Sequence, residues 1–489
     1  MIFFVPLWQI IMYKTMRENI IGRKEEQRLL ERIYNSDKSE FVAVYGRRRV
    51  GKTFLIREFF ENELIFQTSG LAHDNCKRQI KTFYEDLIEY GLPRQDAPPA
   101  DWIEVFLLLR TLLKTSSARR KVLLLDELPW MDTPRSGFMS ALEHFWNSWA
   151  SARHDIVLIV CGSATSWMMD KLINNHGGLH NRLTQRILLS PFTLSECELF
   201  LQRKGFMFSR YDIALCHMVM GGIPYYLDML ETAMSLSQNI DNMLFRPNGK
   251  LSQEFNNLYA SLFHNSTDYI KVVEALSDKR IGMTRNEIVK STNIPSGNGL
   301  TTILRNLESC GFIRSYQQFA ATRGNQTIYQ LVDFFTLFHF RFLSKRFQTV
   351  TMWSNFQNKA EFYAWAGLTF ELLVLQHMRQ VKNKLGIAGV ETHEFTWRCV
   401  DDQQGAQVDL VIDRADNTVN ICEMKFCINP FEINKQYEMN LRNKLAQFTH
   451  YTKMRKSLQL TMVTTFGLKA NTHSGIVTNQ VTLDDLFVP

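Results

Sequence analysis

Residues 46–53 read GRRRVGKT, and the apolar run EFVAVY (40–45) directly precedes them. A glycine at each end of such a loop lets the backbone bend so that several N–H groups point at one anion. The residues from Thr53 to about Glu61 predict a helix whose positive N-terminal end faces the same anion. Strand, glycine-bounded loop and helix in this order are typical of a phosphate-binding loop. The stretch therefore predicts an α/β domain that binds a nucleoside triphosphate.

The residues of this loop have expected roles toward the phosphates. Lys52 is long enough to reach the outer phosphates, where we expect it to act in catalysis as well as in binding. The Thr53 hydroxyl is expected to bind Mg²⁺. The loop residues expected to contact the nucleotide are Gly46, Arg47, Arg48, Arg49, Val50, Gly51, Lys52, Thr53 and Phe54.

Region 21–235 alternates short apolar runs with amphipathic stretches, which is the pattern of a parallel sheet with helices on both faces. The apolar runs are 41–45, 64–67, 121–126, 156–161 and 186–189. We expect this region to form one α/β nucleotide-binding domain. Residues 1–20 precede it as an N-terminal tail.

An acidic pair, Asp126 and Glu127, ends the apolar run at 121–126. Asp126 is expected to hold Mg²⁺, and Glu127 is expected to polarise the attacking water as the catalytic residue. Ser163 ends the next strand, where it would either sense the γ-phosphate beside the acidic pair or cap the helix that follows. Arg182 is either a charge stabiliser for the leaving phosphate or a solvated loop arginine.

Five motifs follow one another along this region. They are Ile21-Gly22-Arg23 with Glu25, the loop at 46–53, Asp126-Glu127-Leu128-Pro129-Trp130, Cys161-Gly162-Ser163 and Gly221-Gly222-Ile223-Pro224. Their order resembles the archaeal-type P-loop ATPase family, which is related to the STAND group of signalling ATPases. The resemblance implies a RecA/AAA-like ATPase core with ATP and Mg²⁺ as ligands. It also implies that Gly22 and Arg23 lie near the adenine and that Glu127 is the catalytic base.

Length, charge and cysteine content limit the class of protein. The 489 residues are enough for about three domains. A net charge of +7 permits DNA as a partner without requiring it. The eight cysteines include no C-x-x-C pair, which argues against a zinc site or a disulfide framework and favours a cytoplasmic location. The apolar start, Met1–Met12, is too short to span a bilayer, so we expect no membrane partner.

Region 236–335 is predicted to be mostly helical and to contain a winged helix-turn-helix. Residues 284–293 open with a capping-box pattern, and 300–310 form a second helix with one apolar face. Segments 312–316 and 327–331 are the expected strands of a hairpin. The module would either contact DNA or serve only as a packing unit. The residues expected to face outward on the second helix are Thr301, Thr302, Arg305 and Asn306.

Region 336–489 is predicted to contain a strand hairpin built from 408–412 and 420–425. If the intervening turn has a three-residue loop, Asp409 lies opposite Glu423, and Lys425 shares their face. Two carboxylates and a lysine are groups that hold a divalent metal ion and activate a water for phosphodiester cleavage.

The spacing D-x₁₃-E-x-K of these residues resembles the PD-(D/E)xK nuclease superfamily, which has an α/β restriction-endonuclease-like fold. Glu371 stands upstream, where that fold often supplies another acidic ligand, and Gln447 with Tyr451 resembles the Q-x-x-x-Y element of RecB-like nucleases. Val408 replaces the proline that gives the superfamily its name. Domains of this fold also occur without catalysis, so both states stay open. The residues assigned are Glu371, Asp409 and Glu423 to a second metal and Lys425 to catalysis.

Three functions are compatible with the sequence. The first is an ATPase switch coupled to a metal-dependent DNA nuclease. The second is a regulatory ATPase whose nuclease-like domain is inactive and binds DNA or protein. The third is an assembly ATPase that does not contact nucleic acid. A homo-oligomer or a protein partner is compatible with each.

Overall fold

The computed structural model describes residues 19–174, 177–179, 181–263, 265–317, 327–344, 353–357, 359–399 and 405–489. The apolar start of the chain lies outside these ranges. Two compact units are present, the first ending at Pro191 and the second beginning at Phe192. None of the helices in the described ranges combines the length and the apolar character that a bilayer crossing requires.

The first unit is built on a five-stranded parallel sheet with the strand order β2-β3-β4-β1-β5. The apolar runs predicted this sheet, because each of them forms a strand within two residues of the expected bounds. Its strands are β1 (Glu40–Tyr45), β2 (Leu64–Ser69), β3 (Lys121–Asp126), β4 (Ile156–Gly162) and β5 (Gln185–Leu188).

Helices surround this sheet and supply an aromatic core. The Trp102 and Phe138 rings lie 4.8 Å apart, and Phe106 stacks on Phe145 at 5.2 Å, so α4 and α5 pack against each other. The helices are α1 (Lys24–Tyr34), α2 (Lys52–Phe59), α3 (Cys76–Glu89), α4 (Trp102–Thr115), α5 (Phe138–Ser148) and α6 (Thr165–Met168).

The second unit begins with helices that the predicted boundary at residue 235 places in the nucleotide-binding domain. One of them packs within the second unit, since the His217 ring lies 5.3 Å from that of Phe334, and Tyr211 stacks on Phe426 at 5.3 Å. The boundaries at 235 and 335 stay predictions. The helices before residue 235 are α7 (Leu194–Arg203), α8 (Arg210–Met220) and α9 (Pro224–Asp228), and α10 (Leu236–Ile240) and α11 (Glu254–Leu262) follow that position.

The middle of the second unit has two helices joined by a turn and followed by an antiparallel hairpin. The capping box is present, because Thr284 Oγ1 accepts a hydrogen bond from the Glu287 amide and the Glu287 carboxylate accepts one from the Thr284 amide. One expected outward residue faces inward instead, since Asn306 Nδ2 donates to the Tyr269 hydroxyl at 2.8 Å. The elements are α12 (Ser266–Ser277), β6 (Met283–Thr284), α13 (Arg285–Thr292), α14 (Asn298–Ser309), β7 (Ile313–Gln317) and β8 (Thr327–Leu331).

The C-terminal part of this unit is a second five-stranded sheet with the order β13-β12-β11-β10-β9. The β10–β11 and β9–β10 pairs are antiparallel, and β12 and β13 add to the sheet in parallel. The strands are β9 (Thr392–Cys399), β10 (Ala406–Arg414), β11 (Thr418–Lys425), β12 (Ser457–Thr464) and β13 (Asn479–Thr482). The remaining helices are α15 (Phe334–Phe338), α16 (Ala360–Gln376), α17 (Met378–Lys384) and α18 (Lys435–Thr452).

Candidate functional site

The carboxyl ends of β1, β3 and β4 lie at one edge of the first sheet, because the three strands are parallel and in register. Tyr45 at the end of β1 pairs with Gly162 at the end of β4, and β3 pairs with β4 on its other side. The loop after β1, the acidic pair at the end of β3 and Ser163 therefore meet at this edge, where ligands of open parallel sheets bind.

The loop at 46–53 bends as its glycines predict. Gly46 has a φ of 139°, and a Cβ at this position would lie 2.4 Å from the Leu189 carbonyl oxygen, so only glycine fits. Arg49 and Gly51 also have positive φ, at 70° and 91°. Lys52 then begins α2, whose first N–H groups have no partner within the helix and suit an anion.

The Lys52 ammonium group lies over the loop itself. Its Nζ atom donates hydrogen bonds to the Gly46 and Arg47 carbonyl oxygens, each at 3.0 Å, and the residue is only 6% exposed. A buried ammonium group so close to the loop amides is in position to bind the outer phosphates of a nucleotide.

The residues predicted to hold Mg²⁺ are brought together. Thr53 Oγ1 donates a hydrogen bond to Asp126 Oδ2 at 2.7 Å, and the other Asp126 oxygen accepts one from the Glu127 amide at 3.0 Å. A hydroxyl and a carboxylate at this separation are oxygen donors of the kind that Mg²⁺ prefers. The structure therefore fits Mg²⁺ at Thr53 and Asp126.

Glu127 is held beside Ser163, as the strand order predicts. The Ser163 hydroxyl lies 3.1 Å from one Glu127 carboxylate oxygen and 2.9 Å from the other, and it donates to this carboxylate. Glu127 has a φ of 46°, in the left-handed region that non-glycine residues rarely adopt. Such backbone strain is typical of active sites, and here it accompanies a side chain that Ser163 orients.

The other predicted loop contacts differ in exposure. Val50 and Arg47 are both buried. Arg48 and Arg49 are half-buried, so they remain accessible to a ligand. Phe54 is 52% exposed although it is aromatic, which makes it available to a bound group or a partner.

Two arginines lie in contrasting surroundings. Arg23, expected near the adenine, is buried, and its Nη2 donates to the Val50 carbonyl oxygen at 3.3 Å, so it supports the loop. Arg182 lies on an exposed turn that its amide closes through a 3.1 Å hydrogen bond to the Leu179 carbonyl oxygen. Its role toward the phosphate stays a prediction.

The hairpin of the C-terminal sheet has the predicted register. Leu410 pairs with Cys422 and Asp413 with Val419, so the same register places Asp409 opposite Glu423. Asp409 Oδ2 accepts a hydrogen bond from the Met424 amide at 3.1 Å. The two carboxylates are both buried, with Asp409 9% and Glu423 4% exposed.

Glu423 is engaged by cations from two elements. Lys444 Nζ lies 2.6 Å from one carboxylate oxygen, and Lys425 Nζ lies 3.1 Å from the other, which also accepts from the Tyr437 hydroxyl at 3.1 Å. Burial acts to raise the pKa of Glu423, but Lys444 and Lys425 together outweigh it and hold the pKa below its usual value.

The pKa of Asp409 moves in the opposite direction. Burial raises it first, and the negative charge of Glu423 raises it further. Paired carboxylates whose pKa values move apart are a frequent feature of functional sites.

The third predicted metal ligand, Glu371, contacts an arginine that the sequence did not single out. Arg280 Nη2 forms an ion pair with Glu371 Oε1 and lies 4.0 Å from Asp409 Oδ1. Glu371 and Asp409 therefore converge on one cationic atom, while Glu423 is turned toward lysines. In the described ranges no three His, Cys, Asp or Glu side chains are grouped as ligands of one metal ion. The three carboxylates predicted as ligands of one metal ion are therefore divided, with Glu371 and Asp409 near Arg280 and Glu423 near the lysines.

Sequence reasoning missed Tyr437, Lys444 and Arg280. Tyr437 and Lys444 are seven residues apart on α18, so they lie on one face of that helix, and this spacing could have indicated them. The contact of Arg280 with Glu371 joins positions 91 residues apart and has no local pattern.

Residues 21–230 match the model of a family described as an ATPase domain predominantly from Archaea. The chain thus carries an ATPase domain of archaeal type on an α/β fold with a parallel sheet, and this family supports ATP as the nucleotide.

Among curated proteins, an uncharacterised protein of Methanocaldococcus jannaschii is 23% identical over 451 residues, which cover 88% of this chain and 94% of that protein. An uncharacterised ATP-binding protein of the same archaeon is 51% identical over 49 residues, covering 10% of this chain and 83% of that protein. Among solved structures, a Walker-type ATPase of Pyrococcus abyssi is similar, with a TM-score of 0.46 and 18% identity, covering 66% of this chain and 97% of that one.

Proposed function

We propose that this protein hydrolyses ATP with Mg²⁺ and that the ATPase cycle controls a C-terminal nuclease-like site that acts on DNA. The main support for a site of phosphodiester chemistry is the hairpin register. This register sets Asp409 opposite Glu423 and on the same face as Lys425. The ATPase half of the proposal rests on the loop at 46–53 and the acidic pair.

At the ATPase site, each residue has a task that follows from its contacts. Thr53 and Asp126 would hold Mg²⁺, which neutralises phosphate charge when bound. Lys52 leaves its two carbonyl acceptors to bind the outer phosphates. Glu127, oriented by Ser163, accepts a proton from the water that attacks the γ-phosphate.

At the second site, the buried carboxylates supply negative charge and Lys425 supplies a positive group. Asp409 and Glu371 would hold a divalent metal, which polarises a phosphate when bound. Lys425 is 33% exposed at its side chain, so it can also contact a phosphate oxygen of DNA.

The helix, turn, helix and hairpin strands within 266–317 and 327–331 support a winged helix-turn-helix as the module next to this site. Thr301, Thr302 and Arg305 of α14 are exposed and are available to phosphates or base edges. DNA binding through these groups would weaken as the salt concentration rises, because each phosphate contact releases counterions, and few charges give a shallow salt dependence.

The decisive experiment measures cleavage of plasmid DNA by the full chain in Mn²⁺ or Mg²⁺, with and without ATP. Cleavage by the wild type that disappears in Glu423→Gln supports the proposal. Glu432→Gln is the matched control, because Glu432 is 56% exposed at its side chain and lies outside the hairpin. Cleavage that survives in Glu423→Gln would remove this site from the reaction.

A second function is favoured by the contacts of Glu423. Two lysines and a tyrosine already satisfy this carboxylate, which is the arrangement of a structural ion-pair network. In that case the chain is a regulatory ATPase whose C-terminal domain binds DNA or protein without cutting it. Salt-dependent DNA binding without cleavage under any nucleotide condition would identify this function.

A further inference from the structure

Arg280 lies where the proposed second metal would bind. Its guanidinium group pairs with Glu371, and the same Nη2 atom is 4.0 Å from Asp409 Oδ1. The Glu371 and Asp409 side chains are only 14% and 6% exposed, whereas that of Arg280 is 52% exposed. The carboxylates are thus fixed and largely covered, while the arginine that covers them is open to solvent.

The turn that carries Arg280 is held by the neighbouring hairpin. Gln330 Nε2 donates to the Arg280 carbonyl oxygen at 2.6 Å, and the Tyr316 hydroxyl donates to that of Ile281. Gly282 has a φ of 85°, and a Cβ there would lie 2.3 Å from the Tyr329 carbonyl oxygen, so the turn needs glycine to pack this closely. β7 and β8 therefore fix the backbone of the turn that carries this guanidinium group.

A cleft of about 190 Å³ runs from this guanidinium to the carboxylates. The hairpin contributes Arg314 and Tyr316 to its wall, and the C-terminal sheet contributes Arg398 and Gln407. Arg314 is anchored, since its Nε donates to Gln330 Oε1 at 2.7 Å. A phosphate group that enters this cleft meets arginines on two sides and offers Arg280 another anionic partner.

We propose that Arg280 is an intramolecular plug of the second metal site, which must leave Glu371 and Asp409 before a divalent cation can bind there. This inference rests on the proposed function, because it needs these carboxylates to be a cation site. A guanidinium group and a metal ion compete for the same two oxygens. The hairpin module would then control the C-terminal site by placing or withdrawing one side chain, and a phosphodiester in the cleft favours withdrawal.

The test measures Mn²⁺ binding to the nucleotide-free full chain by electron paramagnetic resonance, and it requires no cleavage. We expect Arg280→Ala to tighten binding about tenfold, because a charge-assisted contact to the carboxylates no longer competes. Lys279→Ala, which removes the same charge from the neighbouring exposed residue, should stay within about twofold of wild type. Arg280→Lys keeps a cation at this position, so its Mn²⁺ affinity should lie between that of wild type and that of Arg280→Ala.

Asp409→Asn separates the failure of this inference from the failure of the proposed function. If the gain of Arg280→Ala vanishes in the Arg280→Ala/Asp409→Asn double variant, the plug is supported. If Asp409→Asn weakens Mn²⁺ binding but Arg280→Ala equals wild type, the plug is refuted and the metal site stands. If Asp409→Asn leaves Mn²⁺ binding unchanged in both backgrounds, the proposed metal site itself fails, and the plug fails with it.

Discussion

The ATPase site and the C-terminal carboxylate site both contain acidic side chains that are buried or half-buried, but they neutralise them differently. In the first site, Asp126 and Glu127 accept hydrogen bonds from the hydroxyls of Thr53 and Ser163. In the second site, Glu423 pairs with two lysines and Glu371 pairs with Arg280. Neutral groups hold the first set of carboxylates, and cations of the chain hold the second.

This difference decides how readily each site accepts a metal ion. Displacing a hydroxyl from a carboxylate loses one hydrogen bond between a neutral and a charged group, and the hydroxyl can remain as a ligand. Displacing a guanidinium or ammonium group also separates opposite charges in a largely buried setting, which costs more. The first site is therefore prepared for Mg²⁺ and nucleotide, whereas access to the second depends on moving a cation.

The largest effect on ATP turnover is expected when the first site loses its own cation, a change that tests the contrast between the two sites most strongly. Lys52→Ala removes the ammonium group that lies on the loop carbonyls, and we expect ATP turnover to fall by about a thousandfold or more, with weaker ATP binding. Turnover and binding of a fluorescent ATP analogue measure the two effects. Lys77→Ala, at an exposed position on α3, is the control and should match wild type. Normal turnover in Lys52→Ala would exclude this loop as the catalytic phosphate site.

The next largest effect separates binding from chemistry at the same site. Glu127→Gln keeps the shape of the side chain but cannot accept a proton, so we expect ATP binding to persist while turnover drops about a hundredfold. Rapid-mixing measurement of phosphate release checks this, with Glu61→Gln at an exposed position as the control. An unchanged rate would show that another group activates the water.

The sequence anticipates the first site well because its determinants are local. The apolar runs fix the strands, and the glycines at 46 and 51 fix the loop between β1 and α2. Parallel pairing then brings Asp126, Glu127 and Ser163 together without further information. The hairpin register of the second site is equally local, since the turn length determines which residues face each other.

The surroundings of the second site could not be predicted in the same way. Arg280 reaches Glu371 across 91 positions, and only tertiary packing of the hairpin module determines that contact. Lys444 reaches Glu423 from α18 across 21 positions, while the motif on that helix directed attention to Gln447 and Tyr451. The outward prediction for Asn306 was wrong because the Tyr269 hydroxyl offers it a partner within the unit.

The cationic partners of the second site also affect its stability. Glu423→Gln leaves Lys444 without its buried carboxylate, and we expect a loss of about 2 kcal/mol, below the range for fully buried pairs because the Lys444 side chain is 23% exposed. Asp409→Asn should cost much less, because asparagine keeps an acceptor for the Met424 amide and relieves repulsion with Glu423. Urea unfolding at neutral pH compares the two. Equal losses in the free energy of unfolding would show that the lysines do not stabilise the Glu423 carboxylate more than the Asp409 carboxylate.

Acidification is expected to affect the two regions in different pH ranges. In the first region, the pKa of Asp155 is lowered to about 2 by a hydrogen bond from Arg153 and a further one from Lys121. The stability that this carboxylate contributes is present above its ordinary pKa of 3.8 and is lost as the pH falls toward 2. In the second region, burial and then the neighbouring His377 lower the pKa of His217 to about 3 from an ordinary 6.5.

The smallest predicted effect follows from His217, whose Nε2 donates to the Phe192 carbonyl oxygen at 3.0 Å. Between pH 6.5 and 3 the unfolded chain binds the proton that the folded chain excludes, so stability falls as the pH is lowered through this range. Relative to His217→Gln, wild type should lose about 1 kcal/mol when the pH falls from about 7.5 to about 5.5. Urea unfolding at both pH values measures this difference, with exposed His144→Gln as the control. A constant difference between wild type and His217→Gln would mean that His217 binds its proton equally well in the folded and unfolded chains, and the second region would then resist mild acid as the first is expected to do.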